Sequence, residues 1–347
     1  MFEQMESNGT QRLHFCHDPE TGLKAIIAIH STLRGPAIGG CRFIHYNNDD
    51  AAITDALRLA RGMSYKAALA GLPHGGAKAV IIKPESDFNR AALMQRFGQF
   101  VDGLGGEYIT AMDSGTKISD MDQIQKSTSF VTCTQATGDP SPYTALGVFE
   151  GIKASVRFKL NRTSLKGVHV SIQGLGHVGF EVARLLHQAG AKLTVTDIDQ
   201  ARVTQCEKNF NAASVSPDQI YAVDADVFCP CGLGAIINDT TLQQLRVSII
   251  AGSANNQLAE EKHGDLLAAQ DILYAPDYLI NAGGLIFVAL QYSKQNSREI
   301  RQKVIQIGDS LTQLYQNAAQ AKQGVHRLAN HQAEQIISAS NDFNSAA

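Results

Sequence analysis

Tryptophan is absent from the 347 residues, and only 18% of them are charged. The first absence excludes nothing by itself; the second removes whole classes of partner. Net charge is −3 and no run of lysine and arginine occurs, so neither nucleic acid nor an anionic membrane surface is expected. No apolar stretch reaches the ~20 residues that a bilayer-spanning helix needs. The amino end, Met1 to Asn8, lacks both a basic start and an apolar middle, so it does not read as a signal peptide. The six cysteines are scattered, and Cys229-Pro230-Cys231 has no second pair to complete a zinc site. They read as reduced, buried thiols in a cytoplasmic protein, and no metal is expected.

Hydrophobic content of 44% over this length implies about two domains with a large core. Leu23–His30 reads as a strand, followed by a turn-rich loop over Gly35–Gly40. Asp49–Met63 has helical periodicity, with Ile53, Ala56, Leu57, Ala60 and Met63 on one stripe. Asp55, Arg58 and Arg61 then face water, and Asp49 or Asp50 caps the helix. Tyr108–Met112 is a short strand, and Thr134–Ser141 the best linker. Beyond it, strands at 168–173, 192–197, 227–229, 248–251 and 272–274 alternate with helical segments, the pattern of a parallel doubly wound sheet. From Gly284 onward the chain reads as mostly helical.

Two segments carry chemistry. In Gly62–Lys78, Lys66 and Lys78 are the two ammonium groups in an otherwise uncharged, glycine-rich stretch that runs into Ala79–Ile82, a buried strand. Lys66 is expected just past the helix end, with the glycines clearing space. Either both lysines snorkel from a loop, or they form a site. A phosphate loop is excluded, because Lys78 is followed by Ala79 rather than a hydroxyl residue. Asp113, ending the strand at Met112, is either a turn residue or part of that site.

The second segment is Gly174-Leu-Gly176-His-Val-Gly179, which follows a strand, opens a helix, and has Asp197 ending the next strand. That is the full dinucleotide fingerprint: glycines for the tight turn and the pyrophosphate, a carboxylate for the ribose hydroxyls. Asp197 would repel a 2′-phosphate and favours NAD, with dual use of NADP left open by Arg202.

These features, with the strings Gly35–Phe43, Gly62–Lys78, Ile109–Asp113, Pro140–Thr144, Ala251–Gln257 and Ala275–Gly284, resemble the amino-acid dehydrogenases that act on glutamate, leucine, phenylalanine and valine. The resemblance covers nearly the whole chain and is strongest to the leucine-acting members. It implies an α/β fold: an N-terminal α/β substrate domain over 1–134, to which a helix at about 325–347 returns, and a Rossmann-type doubly wound dinucleotide-binding domain over 135–324. By position, Lys66 would bind the substrate α-carboxylate with Gly40 and the Asn256 amide. Lys78 would activate the water that attacks the imine carbon, and Asp113 would carry protons to and from the amine. Thr144 would hold the nicotinamide carboxamide, and Asn281 would lie against its ribose. A homo-oligomer is also implied. The chain departs from the family pattern at Ala77, where a third glycine is common.

The positions that pair with a glutamate side chain in the glutamate enzymes are here Ile38 and Val288, with Ala111 and Leu285 completing the pocket. An unpaired second carboxylate there would cost several kcal/mol, so an apolar amino acid, leucine with valine and isoleucine, is expected. One methylene is worth about 1–3 kcal/mol, so discrimination among these should be loose. The alternatives are a valine-, phenylalanine- or tryptophan-preferring enzyme, or a catalytically silent NAD-binding regulator. His74, beside Pro73 and Gly75, reads as a loop histidine rather than a catalytic one.

Overall fold

The computed structural model describes Met1 to Ala339; residues 340–347 of the expected terminal helix lie outside the described residues. The chain divides into two compact units. The first holds Met1–Asp139, Val288–Asn296 and the described residues from Ala333; the second holds Pro140–Phe287 and Ser297–Gln332. Two of its boundaries fall inside helices, Gly283–Tyr292 and Val325–Ser338.

The first unit is built on a mixed sheet of β1 (Arg12–Asp18), β2 (Leu23–Ser31), β3 (Ala37–Ile44), β4 (Gly75–Ile82) and β5 (Tyr108–Met112). Their spatial order is β1-β2-β4-β3-β5. The pairs β1–β2 and β2–β4 are antiparallel, while β4–β3 and β3–β5 are parallel. Register places Ala28 beside Lys78, Ile38 beside both Gly76 and Ile109, and Gly40 beside Ala111. Because side chains alternate along a strand, Ile38, Gly40, Arg42, Gly76, Lys78, Val80 and Ala111 share one face. The helix Asp49–Leu69 covers part of that face, its Ala52, Ile53, Ala56, Leu57 and Ala60 packing on Ile26, Ala28 and Val80.

Three local expectations are corrected. The helix continues past Met63 to Leu69, so Lys66 lies in its last turn; Ser64, Tyr65, Ala67 and Ala68 are buried and carry it onward. Its cap is Asn48, whose side chain accepts the Ala51 N–H at 2.8 Å, rather than Asp49 or Asp50. Most of Gly35–Gly40, read as a turn-rich loop, is strand, since β3 begins at Ala37, and the strand expected from Ala79 begins at Gly75. A Cβ on Gly76 would stand 2.0 Å from the Ser64 nitrogen, so glycine here lets the helix backbone lie directly on the strand.

The second unit contains β6 (His169–Gln173), β7 (Lys192–Thr196), β8 (Ala213–Ser214), β9 (Val227–Pro230), β10 (Ile249–Ile250) and β11 (Leu273–Tyr274). All pair in parallel, in the order β11-β10-β9-β6-β7-β8. Counted within the unit this is 3-2-1-4-5-6 read from β8, the doubly wound order, and it reverses between β6 and β9. The helices Ser141–Leu160 and Ser297–Ala321 pack on each other, joined by Ser155 Oγ and the Tyr315 hydroxyl at 2.8 Å.

Gly76→Ala is expected to destabilise the fold by about 3 kcal/mol, because a methyl must displace backbone rather than a side chain. Gly62→Ala, in the helix Asp49–Leu69 that packs on Gly76 but with nothing within 4 Å of the added carbon, is expected to stabilise by about 1 kcal/mol. Denaturant unfolding of both variants checks the contrast, and equal effects would refute it.

Candidate active site

At the centre of the shared face lies an ion pair between the Lys78 ammonium and Asp113 Oδ2. Lys78 is only 6% exposed. Asp113 follows β5 in a turn that fixes its carboxylate: the Ser114 N–H donates to Oδ1 at 2.6 Å, and the Asp113 N–H donates to Thr116 Oγ1 at 2.8 Å. A second cation stands behind it, with Arg42 Nε 3.8 Å from Asp113 Oδ2. Arg42 is held in turn by Asp55, whose Oδ2 lies 2.7 Å from the guanidinium and accepts the Tyr46 hydroxyl at 2.6 Å. Burial would push the Asp113 carboxyl up, but Lys78 and Arg42 outweigh it and hold the group at about 2. It is therefore a carboxylate at neutral pH, placed against an ammonium and able to accept a proton.

Gly40 makes room for this turn: a Cβ there would lie 2.8 Å from that of Asp113. Ile38 and Ala111 are buried beside it on the same face. Lys66 is half-buried two residues beyond Ser64, whose backbone touches Gly76, two residues before Lys78. Packing thus brings the two lysine-bearing segments together. Val288 is buried and belongs to this unit; Leu285, buried on the same helix, and Asn256 belong to the other. Asn256 has a left-handed backbone, φ 50°, and its N–H donates to Asp277.

In the second unit, Gly174 ends β6 with φ +92°, and a Cβ on it would strike the Gly232 backbone at 2.8 Å. A Cβ on Gly179 would lie 2.0 Å from the Gly174 carbonyl oxygen. The turn is drawn tight by Asp197, which accepts the N–H groups of Leu175 and Asp199. Asn281 donates to Ser253 and Asn255 and leaves its own Oδ1 buried without a partner. A glycine cradle at the switch point, an adjacent carboxylate and an unused buried acceptor fit a dinucleotide. Thr144, in the first turn of Ser141–Leu160, packs against Gly284, where a Cβ would meet its Oγ1 at 2.5 Å. An open groove of about 530 Å³ lined by His169, Asp226, Arg246 and Ser248 lies at the amino ends of the strands, away from this cradle.

The sequence reading missed Arg42, Tyr46 and Asp55. Asp55 had been placed toward water by helical periodicity, yet its side chain is 15% exposed and bonded to Arg42. An arginine inside the alternating β3 pattern was the available signal. His74 is buried with Nδ1 3.1 Å from the Pro36 carbonyl oxygen, and burial lowers its pKa. Asp239, Glu260 and His263 approach one another at ligand distance, but the Lys262 ammonium sits with both carboxylates and His263 Nδ1 receives the Glu260 N–H. That cluster is a charged helix cap.

Comparison with known proteins adds independent findings. Residues 10–130 match the family described as Glu/Leu/Phe/Val dehydrogenase, dimerisation domain, and residues 194–342 the one described as Glutamate/Leucine/Phenylalanine/Valine dehydrogenase. The chain is 46% identical to leucine dehydrogenase of Geobacillus stearothermophilus, over 97% of this chain and 93% of that one. It is 41% identical to phenylalanine dehydrogenase of Caldalkalibacillus thermarum, over 97% and 93% respectively. The crystal structure of L-tryptophan dehydrogenase from Nostoc punctiforme superposes with a TM-score of 0.84 at 41% identity, covering 99% of this chain and all of the other.

A carboxyl held at about 2 in the fold, against about 4 in an unfolded chain, binds fewer protons when folded. It therefore stabilises the fold at neutral pH, and that contribution is lost as pH falls from about 4 to about 2. Lys78→Met removes the nearest cation, so the folded carboxyl rises toward its unfolded value and the stability lost over this pH range is expected to shrink. Chemical unfolding of both proteins from pH 6 downward reads this, and superimposable profiles would refute the coupling.

Proposed function

The chain belongs to the Glu/Leu/Phe/Val dehydrogenase family and is an amino-acid dehydrogenase, and from that premise we propose that it catalyses the NAD-dependent, reversible oxidative deamination of an apolar L-amino acid, leucine first, with valine and isoleucine also accepted. The observation that carries this reading is the buried Lys78–Asp113 pair on a sheet face that it shares with Gly40, Ile38 and Ala111.

Lys66 binds the substrate α-carboxylate, and Gly40 leaves the space in which the α-carbon and amine come against Asp113. Asp113, ionised at neutral pH, takes the proton that the substrate ammonium must lose before oxidation. Gly174, Gly176, Gly179, Asp197, Thr144 and Asn281 would hold NAD, which would supply the hydride acceptor for the α-carbon. Lys78 then orients and activates the water that adds to the resulting imine, and stabilises the oxygen that develops negative charge. Asp113 returns the proton to the departing ammonia. Arg42 is a positioning residue, keeping Asp113 charged and its carboxylate turned toward Lys78.

Ile38 and Val288 offer the substrate side chain apolar surfaces, which favours leucine over glutamate. They exclude a charge but not a ring. Since two of the relatives named above act on aromatic amino acids, a phenylalanine or tryptophan preference is the second reading. The carboxylate of Asp197 supports NAD over NADP. The match to a dimerisation domain supports a homo-oligomer, and six free thiols support a reducing, cytoplasmic setting.

With a panel of L-amino acids and NAD, followed by absorbance of the reduced cofactor, turnover is expected on leucine, isoleucine and valine and not on glutamate. Silence on every apolar amino acid would sink the proposal, and a strong aromatic preference would replace the substrate alone. Lys78→Ala and Asp113→Asn are each expected to lower kcat by about 10³-fold while the protein still binds NAD. Asp197→Ala is expected to raise the KM for NAD and lower that for NADP, since Arg202 lies close to Gly176; no change in either would exclude Asp197 from the ribose.

A further inference from the structure

Cys229 and Cys231 flank Pro230 at the carboxyl end of β9, and their sulfurs are 3.6 Å apart. Cys231 stands just past the strand end, and its side chain turns toward that of Cys229. Cys231 is also the residue on which the dinucleotide turn rests. Its N–H donates to the Gln173 carbonyl oxygen at 2.7 Å. A Cβ on Gly174 would come within 3.0 Å of its carbonyl carbon, and one on Gly179 within 3.1 Å of its Cβ. No slack separates the Cys231 backbone and Cβ from the first and third glycines of the cradle.

The two thiols are unequal. Cys229 is fully buried, whereas Cys231 is half-buried. Hydrogen bonding from Cys229 is the main influence lowering the Cys231 pKa; burial opposes it, and bonds from the Ser253 side chain and backbone assist. Cys229, which gives that bond and is buried, is pushed well up. Cys231 also lies against the first turn of the helix His177–Gln188, where the positive end of the helix favours a thiolate. A disulfide requires the sulfurs to close to ~2 Å. That movement pulls directly on the backbone that supports the turn.

We propose that Cys229-Pro230-Cys231 is a redox-modification site built under the dinucleotide cradle, oxidised by hydroperoxides and closing to a disulfide that weakens dinucleotide binding. The Cys231 thiolate attacks one oxygen of the peroxide; an S–O bond forms, the O–O bond breaks, and the departing hydroxide takes a proton to become water. The sulfur is oxidised by two electrons to a sulfenic acid and the peroxide is reduced. Cys229 then loses its proton and attacks that sulfur, forming the S–S bond and expelling the second oxygen as water. Two thiols and one hydrogen peroxide thus give one disulfide and two waters. A dithiol reductant reverses the change and is itself oxidised to a disulfide. The inference rests on the cofactor reading above.

The test compares reduced, peroxide-treated and dithiothreitol-restored protein by NAD calorimetry, with peptide mapping of alkylated thiols alongside. Peroxide is expected to link Cys229 to Cys231 and to weaken NAD binding by about tenfold, an ordinary size for coupling between two sites. Dithiothreitol is expected to restore it, and bound NAD to slow the oxidation. Cys229→Ser, measured against its own reduced form, is expected to form no such disulfide and to collect sulfenic acid at Cys231. Absence of the 229–231 link in the unmodified chain, or a link that leaves NAD affinity unchanged, overturns the inference while leaving the cofactor reading intact. Reduced protein that binds no NAD overturns both.

Discussion

A buried carboxylate stays charged beside a buried lysine, and the first unit of this protein is organised around that fact. Burial alone would push the Asp113 carboxyl up; Lys78 compensates it, and Arg42 tips the balance further toward the carboxylate. The charges alternate outward from β4: Lys78, Asp113, Arg42, Asp55, with the Tyr46 hydroxyl at the end. Each member is fixed by a different element, so the sheet register and the helix Asp49–Leu69 set the electrostatics between them.

Glycine serves the two units in different ways. In the first it removes side chains so that backbones touch: Gly76 under Ser64, Gly40 beside the Asp113 turn. In the second it permits a positive φ at Gly174 and a closely apposed helix at Gly179. Asp197 belongs to the structure, because the N–H groups it accepts define the turn. Its carboxylate therefore cannot be separated from the shape of the cradle.

The dinucleotide half was the more legible in sequence, because its signals are local: a strand, a glycine fingerprint, a helix, a strand-end acid. The parallel sheet followed from alternation alone. The substrate half was less so. Gly35–Gly40 and Gly71–Gly76 look like loops to any local rule, yet Ala37–Gly40, Gly75 and Gly76 lie within strands, made comfortable there by neighbours distant in sequence. Lys78 and Asp113 were found as residues, but their pairing depends on the β4–β3–β5 register, which no single segment encodes. Asp55 was misplaced for the same reason. Helical periodicity cannot foresee an arginine on a neighbouring strand. Cys231 was set aside as an inert thiol because its contact with the glycine turn arises only when β9 takes its place beside β6.

The whole sequence of alternating charges lies between Arg42 and Asp113, in one unbroken piece of the chain. Domains generally fold as units as synthesis proceeds from the amino end. The ionic centre can therefore close while the dinucleotide half is still in the ribosome. Its last brace arrives only at the end, when Glu334 reaches the Tyr65 hydroxyl and the Arg61 guanidinium. A nascent chain thus acquires its buried charges well before its glycine cradle.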